Sequence, residues 1–77
     1  MNHTYKVLRS DIELSAAALS QVRVYVVQPL SEDMVEVVDY GGAIEKFSPS
    51  SVKIAGKYYM RNQFEFRVDV NKDSNGL

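Results

Sequence analysis

The sequence has no cysteine, no tryptophan, two prolines and a single histidine, His3. Without cysteine the chain can form neither disulfides nor thiolate metal sites. No apolar run exceeds four residues, whereas a membrane-spanning helix needs about 20. The N-terminal residues show no charged segment followed by an apolar one, so no signal peptide is visible and we expect a cytoplasmic location.

The residues that catalysis uses are equally scarce. A nucleophilic triad needs an oriented base, usually histidine, and His3 lies in a polar terminus that we expect to fray. Glycine-rich phosphate-binding motifs and the His-Glu-x-x-His zinc motif are absent. Asp69, Asn71 and Asp73 have the spacing of the first calcium ligands of an EF-hand loop, but the required glycine and final glutamate are missing. We therefore predict no enzyme, no cofactor, no metal and no small-molecule substrate.

The overall composition is that of an ordinary globular protein. The 77 residues are 45% hydrophobic and 25% charged, with a net charge of −1. This predicts a single domain over residues 1–77, with frayed ends at 1–4 and 71–77. The charges are unevenly distributed, since residues 10–40 hold six acids against Arg23 alone, whereas residues 41–67 hold five bases and two acids.

One short helix is predicted near the N-terminus. Ser10 and Glu13 have the spacing of a capping box, which favours a helix over residues 11–20. Ile12, Ala16 and Leu19 would form its apolar stripe. A strand is the alternative for the same segment, because apolar and polar residues also alternate there.

From Gln21 onward the hydrophobic pattern has a period of two, which indicates strands. Together with the helix, this predicts a β-rich α+β fold in one small domain. Its five to six strands form either an antiparallel bent meander, an open roll, or a small closed barrel, which would remove the sheet edges. We predict strands at about 22–27, 34–40, 43–47, 52–54, 57–61 and 64–70, with hairpin turns at Gly41-Gly42, Ala55-Gly56 and Asn62. The predicted core consists of Val22, Val24, Val26, Val35, Val37, Ile44, Phe47, Val52, Ile54, Tyr58, Met60, Phe64, Phe66 and Val68.

The final hairpin shows the clearest alternation. Phe64, Phe66, Val68 and Val70 should face the core, and the preceding strand is predicted to bury Tyr58 and Met60 beside them. The opposite side of the hairpin then presents basic and aromatic side chains to solvent. With Tyr25 from an earlier strand, the predicted binding residues are Tyr25, Lys57, Tyr59, Arg61 and Arg67.

Two kinds of partner fit such a surface. Tyrosine and arginine are enriched at the centres of protein interfaces, so we predict a small non-enzymatic module that binds a protein or a second copy of itself. The alternative is nucleic acid, with cations on phosphates and tyrosines stacked on bases, although an isoelectric point of 5.7 argues against it.

The order of a short helix and bent strands, with Val-Arg-Val-Tyr-Val-Val at 22–27 and Gly-Ala-Ile-Glu-Lys-Phe at 42–47, resembles the Sm-like RNA-binding fold, whose members assemble into rings. The resemblance implies a small barrel. The Lys-His pair of the bacterial members is absent, since Lys-Tyr-Tyr-Met stands at 57–60, so no site residue is carried over from the family.

Overall fold

A computed structural model describes residues 3–71 of the chain, which form seven strands and one helix. The strands make two antiparallel sheets, a four-stranded sheet in the order β1-β7-β2-β3 and a three-stranded sheet in the order β4-β5-β6. The strand-rich fold with one short helix is therefore confirmed, whereas these residues form no closed barrel. The elements are β1 His3–Leu8, α1 Asp11–Ser20, β2 Val24–Pro29, β3 Val35–Gly42, β4 Ile44–Phe47, β5 Ser51–Ile54, β6 Lys57–Met60 and β7 Glu65–Asn71.

The helix α1 has the predicted bounds and the predicted capping box. Glu13 N–H donates to Ser10 Oγ over 3.1 Å, and Ser10 N–H donates to Glu13 Oε1 over 3.0 Å. The helix buries Leu14 and Ala17, however, and leaves Ile12 and Leu19 80% and 83% exposed. The predicted stripe is therefore wrong, because α1 turns its other apolar side toward the core.

Strand β1 was not predicted. It pairs with β7 from His3 opposite Asn71 to Leu8 opposite Phe66, so backbone expected to fray at residues 3–4 and 71 belongs to a sheet. Leu8 is buried in the core at the end of this strand. The remainder of the predicted frayed ends, residues 1–2 and 72–77, lies outside the described residues.

The predicted hairpin at Gly41-Gly42 does not form. Both glycines belong to β3, and β4 pairs with β5 in the other sheet. Gly41 has φ +72°, and a Cβ atom there would collide with the Val24 carbonyl oxygen of β2. The glycine therefore permits the close approach of two strands at the point where the chain leaves the first sheet.

The hairpin at Ala55-Gly56 is confirmed. Both residues have positive φ, 53° and 80°, and they connect β5 to β6 as a two-residue turn. This turn sets Val52 opposite Tyr59, so Tyr59 joins the core and Tyr58 points away from it. The predicted orientation of β6 is therefore reversed.

The predicted hairpin between β6 and β7 is also absent. A turn at residues 61–63 carries the chain back to the four-stranded sheet, where β7 pairs with β1 and β2. The predicted inward side of β7 is nevertheless correct. Phe66 is buried, and Phe64 and Val68 pack against the core.

The core lies between the two sheets and the helix. Of the predicted core, Val24, Val26, Ile44, Val52, Ile54 and Phe66 are buried, and Phe47, Phe64 and Val68 pack against them. Five predicted members are exposed instead: Val22, Val35, Val37, Tyr58 and Met60. Residues that the structure buries without prediction are Leu8, Leu14, Ala17, Val27 and Tyr59.

Candidate interaction surfaces

The five predicted binding residues do not share one face. Tyr59 is only 7% exposed, and its hydroxyl donates a hydrogen bond to Asp39 Oδ2 of β3. This bond, with a second from Gly41 N–H at 2.7 Å and the nearby Lys57 charge, lowers the pKa of the Asp39 carboxyl. The same carboxylate raises the pKa of Tyr59 to about 12. Tyr59 therefore connects the two sheets and offers no surface to a partner.

Arg61 is likewise occupied by contacts within the chain. Its guanidinium donates to Asp11 Oδ1 at 2.9 Å, to the Ser48 carbonyl at 2.7 Å and to the Arg9 carbonyl at 3.2 Å. These partners lie at the start of α1, after β4 and after β1, and only 17% of the arginine side chain is exposed. Arg61 therefore joins three segments of the fold.

Tyr25 and Arg67 are the two predicted residues that the structure brings together. They are direct partners between β2 and β7, on the side of the four-stranded sheet away from the core, which we call the outer face. The Arg67 guanidinium forms an ion pair with Glu65 at 2.7 Å and lies over the Tyr5 ring, 4.2 Å from its centroid.

Asp69 contacts two further side chains at the outer face, those of Tyr25 and Arg23. The Tyr25 hydroxyl donates to Asp69 Oδ1 over 3.2 Å, and partial burial together with the Asp69 charge raises the pKa of that tyrosine. Arg23 Nη2 lies 4.0 Å from Asp69 Oδ2. Arg67 and Arg23 therefore each have an acid beside them, and Arg67 also contacts the Tyr5 ring.

The three-stranded sheet has a basic exposed side. Register places Lys46, Lys53 and Tyr58 in one row across β4, β5 and β6. Lys53 Nζ lies 5.4 Å from the Tyr58 ring centroid and 3.9 Å from Glu45 Oε1. Tyr58, at 59% exposure, takes the solvent position that the sequence analysis gave to Tyr59.

Strand β3 exposes apolar side chains at an edge of the four-stranded sheet. It is the last strand of the four-stranded sheet, with β2 on one side and no described strand on the other. Val35, Val37 and Val38 are each exposed by 38% or more. Val35 and Val37 were predicted to lie in the core, because a β-branched strand is typical of a sheet covered on both sides.

The surroundings of β3 are acidic. Between Arg23 and Lys46 the sequence has no lysine, arginine or histidine, whereas Glu32, Asp33 and Glu36 lie on β3 or in the loop before it. All three acids are exposed. The free edge of β3 thus combines apolar side chains with negative charge.

The sequence pattern predicted neither the exposed position of Tyr58 nor the edge position of β3. A local signal existed for Tyr58 and not for β3. The two-residue Ala55-Gly56 turn was sufficient to set Tyr58 outward, because in such a hairpin residue 54 pairs with residue 57. No local pattern shows that β3 lies at an edge, since this depends on which strands pair.

The chain was compared with models of protein families, with curated proteins and with solved structures, and none of them matches. Within residues 3–71, no helix is long and apolar enough to cross a lipid bilayer.

Proposed function

We propose that this protein is a small non-enzymatic interaction module that binds an extended protein segment along the free edge of β3. The observation that carries the proposal is the exposure of Val35, Val37 and Val38 on a strand that has only one neighbour among the described residues. A strand edge presents unpaired backbone donors and acceptors, and an added strand satisfies them.

Soluble proteins usually protect a strand of this kind. The common devices are charged side chains, above all lysine, proline, β-bulges, or a covering loop or helix at the edge. The register shifts of β3 against β2 lie between Val37 and Gly42, whereas residues 35–37 pair regularly with β2. The strand contains neither lysine nor proline, and both Val35 and Val37 are exposed. An added strand would cover apolar surface as well as pair backbone groups, which favours a binding role for this edge.

Charge sets the class of segment that fits. The charged residues of β3 and of the loop before it are all acidic. A partner segment in which apolar and basic residues alternate would therefore complement both the valines and Glu36. An acidic segment would place like charges against each other.

The proposal is tested with two synthetic peptides of equal length, one alternating valine with lysine and the other valine with glutamate. Each is titrated into isotope-labelled protein while amide chemical shifts are recorded. We expect the lysine peptide to shift amides of β3 and β2, and the glutamate peptide to have no such effect. If neither peptide, or both equally, shifts the β3 amides, the proposal is wrong.

Nucleic-acid binding is the second candidate, now on a different surface from the one that the sequence indicated. It is supported by the row of Lys46, Lys53 and Tyr58 on the exposed side of the three-stranded sheet, which pairs cations with a ring available for stacking. Phosphate binding weakens steeply as salt rises. A gel shift with single-stranded RNA that disappears in Lys53→Glu and at high salt would favour this function, and no shift at low salt would exclude it.

A further inference from the structure

Among the described residues, the four-stranded sheet has a second edge strand with a neighbour on one side only. Strand β1 lies at the other end of the sheet, next to β7. Residues 3–9 contain His3, Lys6 and Arg9 and no acid. Within β1, Lys6 is thus the cation whose side chain is described, whereas the charged residue between Val35 and Val37 on β3 is the acid Glu36.

The directions of the two edge strands are compatible with pairing between copies. Neighbouring strands of this sheet are antiparallel throughout, so β3 runs opposite to β1. Placing β1 of a second copy beside β3 continues the antiparallel alternation without turning the sheet over. The faces therefore stay aligned, outer with outer.

The side chains on each face also match. Val37 of β3 is opposite Val27, which is opposite Glu65, so Val37 lies on the outer face. Tyr5 and Val7 of β1 lie on that face too, since they pair with Asp69 and Arg67. The outer face of a β3–β1 contact would therefore combine apolar side chains from both strands.

On the inner face the match is between charges. Glu36 is opposite Gln28, and Lys6 is opposite Val68 beside the buried Phe66 of β7. Lys6 Nζ lies 3.8 Å from Glu13 Oε2, but the Lys6 side chain is still 57% exposed. It is therefore accessible to a second copy. One register satisfies both faces at once, in which Val35 pairs with Val7, Glu36 with Lys6 and Val37 with Tyr5.

We infer that the segment bound by β3 is β1 of a second copy of this chain, joined head to tail in this register. The inference rests on the proposed strand-adding role of β3 and names its partner. A pairing of two β3 strands is disfavoured by charge, because residues 32–39 contain four acids and no base. The contact is heterologous, so an open assembly keeps one unpaired β1 edge and one unpaired β3 edge at its two ends, and it either closes into a ring or grows into a filament.

A charge swap tests the register. Molar mass is measured by light scattering after size exclusion at concentrations from about 5 to about 500 µM, in 150 mM salt so that only close charge pairs contribute. Wild type is expected to exceed the 8.7 kDa monomer as concentration rises. Lys6→Glu and Glu36→Lys should each weaken association by about tenfold. The double variant, or an equimolar mixture of the two single variants, should restore it.

The matched control is Glu32→Lys, which makes the same charge change in the loop before β3 and should leave association within about twofold of wild type. Circular dichroism melts establish that each variant is folded. A wild type that stays monomeric, a Lys6→Glu variant that associates normally, or a double variant that is not rescued overturns the inference.

The peptide titration separates this failure from failure of the proposed function. A monomeric protein whose β3 amides still respond to the valine-lysine peptide retains the strand-binding role and requires a different partner. A monomeric protein with no response to the peptide loses both.

Discussion

The Tyr59 hydroxyl donates a hydrogen bond to the Asp39 carboxylate, and this bond connects β6 of the three-stranded sheet with β3 of the four-stranded sheet. Asp39 lies four residues after Val35 on the edge strand, so the same strand that exposes its valines is anchored to the core by one carboxylate. The anchoring contact at Asp39 and the exposed valines Val35 and Val37 therefore lie in different parts of β3.

Replacing Tyr59 with phenylalanine should lower the free energy of unfolding by about 1.5 kcal/mol, because the ring stays in the core while the bond to a charged acceptor is lost. Urea denaturation at neutral pH measures the change. Tyr58→Phe is the matched control, since Tyr58 is exposed and should change stability by less than about 0.5 kcal/mol. Equal effects of the two substitutions would contradict the orientation of β6.

The stabilising effect of Tyr59 should disappear at both extremes of pH. The folded-state pKa of Tyr59 is raised from 10.0 to about 12, so its contribution is complete below pH 10 and is lost as the pH rises through 12. The pKa of Asp39 is lowered from 3.8, so its contribution is present above that pH and is lost as the pH falls through the lowered value. The stability difference between wild type and Tyr59→Phe should therefore form a plateau between these limits. A difference that does not depend on pH would show that the carboxylate is not the partner.

Gly41→Ala should destabilise the protein by about 3 kcal/mol, because the new methyl group meets backbone of β2 at a residue with positive φ. Gly42→Ala is the control, since no atom lies within 4 Å of a Cβ at that position. Thermal melts of the two variants give the comparison. A Gly41→Ala protein as stable as Gly42→Ala would refute the close approach of β3 to β2.

Arg61→Ala should lower stability by about 1 to 2 kcal/mol, although the sequence pattern placed this residue on an exposed binding face. The arginine holds two backbone carbonyls and Asp11, and these partners lose their donor in the variant. Lys46→Ala removes an exposed cation and should be nearly neutral. If urea denaturation shows equal stability for the two variants, the contacts of Arg61 do not stabilise the fold.

Phe66→Ala should cost about 3 to 5 kcal/mol, which is comparable with the total stability of so small a domain, and we expect it to unfold. Val37→Ala, a residue that the hydrophobic pattern assigns equally to the core, should cost less than about 1 kcal/mol because its side chain is exposed on the edge strand. Circular dichroism at 25 °C distinguishes a folded from an unfolded chain. A cooperative melt of Phe66→Ala near the wild-type temperature is the outcome that this core does not allow.

Local chemistry in the sequence was sufficient for the helix and one hairpin. Ser10 and Glu13 satisfy each other's backbone donors within one turn, so the capping box that begins α1 is contained within residues 10–13. The Ala55-Gly56 turn likewise closes on its own flanking strands. The orientation of β6 follows from that turn by counting residues, because Ile54 opposite Lys57 sets Val52 opposite Tyr59.

The candidate site was not predictable in the same way. Val35 and Val37 have the pattern of a buried strand, and Ile12 and Leu19 have the spacing of a buried helix stripe, yet all four are exposed. Hydrophobicity shows that a residue can be buried, whereas burial itself requires a neighbouring element on that side. The short chain supplies β2 to one side of β3 and nothing described to the other.

The sequence alone determined the helix with its ends, the strands that follow it and the inward side of β7, because each follows from a pattern within a few consecutive residues. Only the tertiary structure decided that β1 pairs with β7, that the chain divides into two sheets at Gly41, and that β3 lies at an edge. These are pairings between segments distant in sequence. They depend on the packing of the whole chain, which cannot be predicted from the local period of the hydrophobic residues.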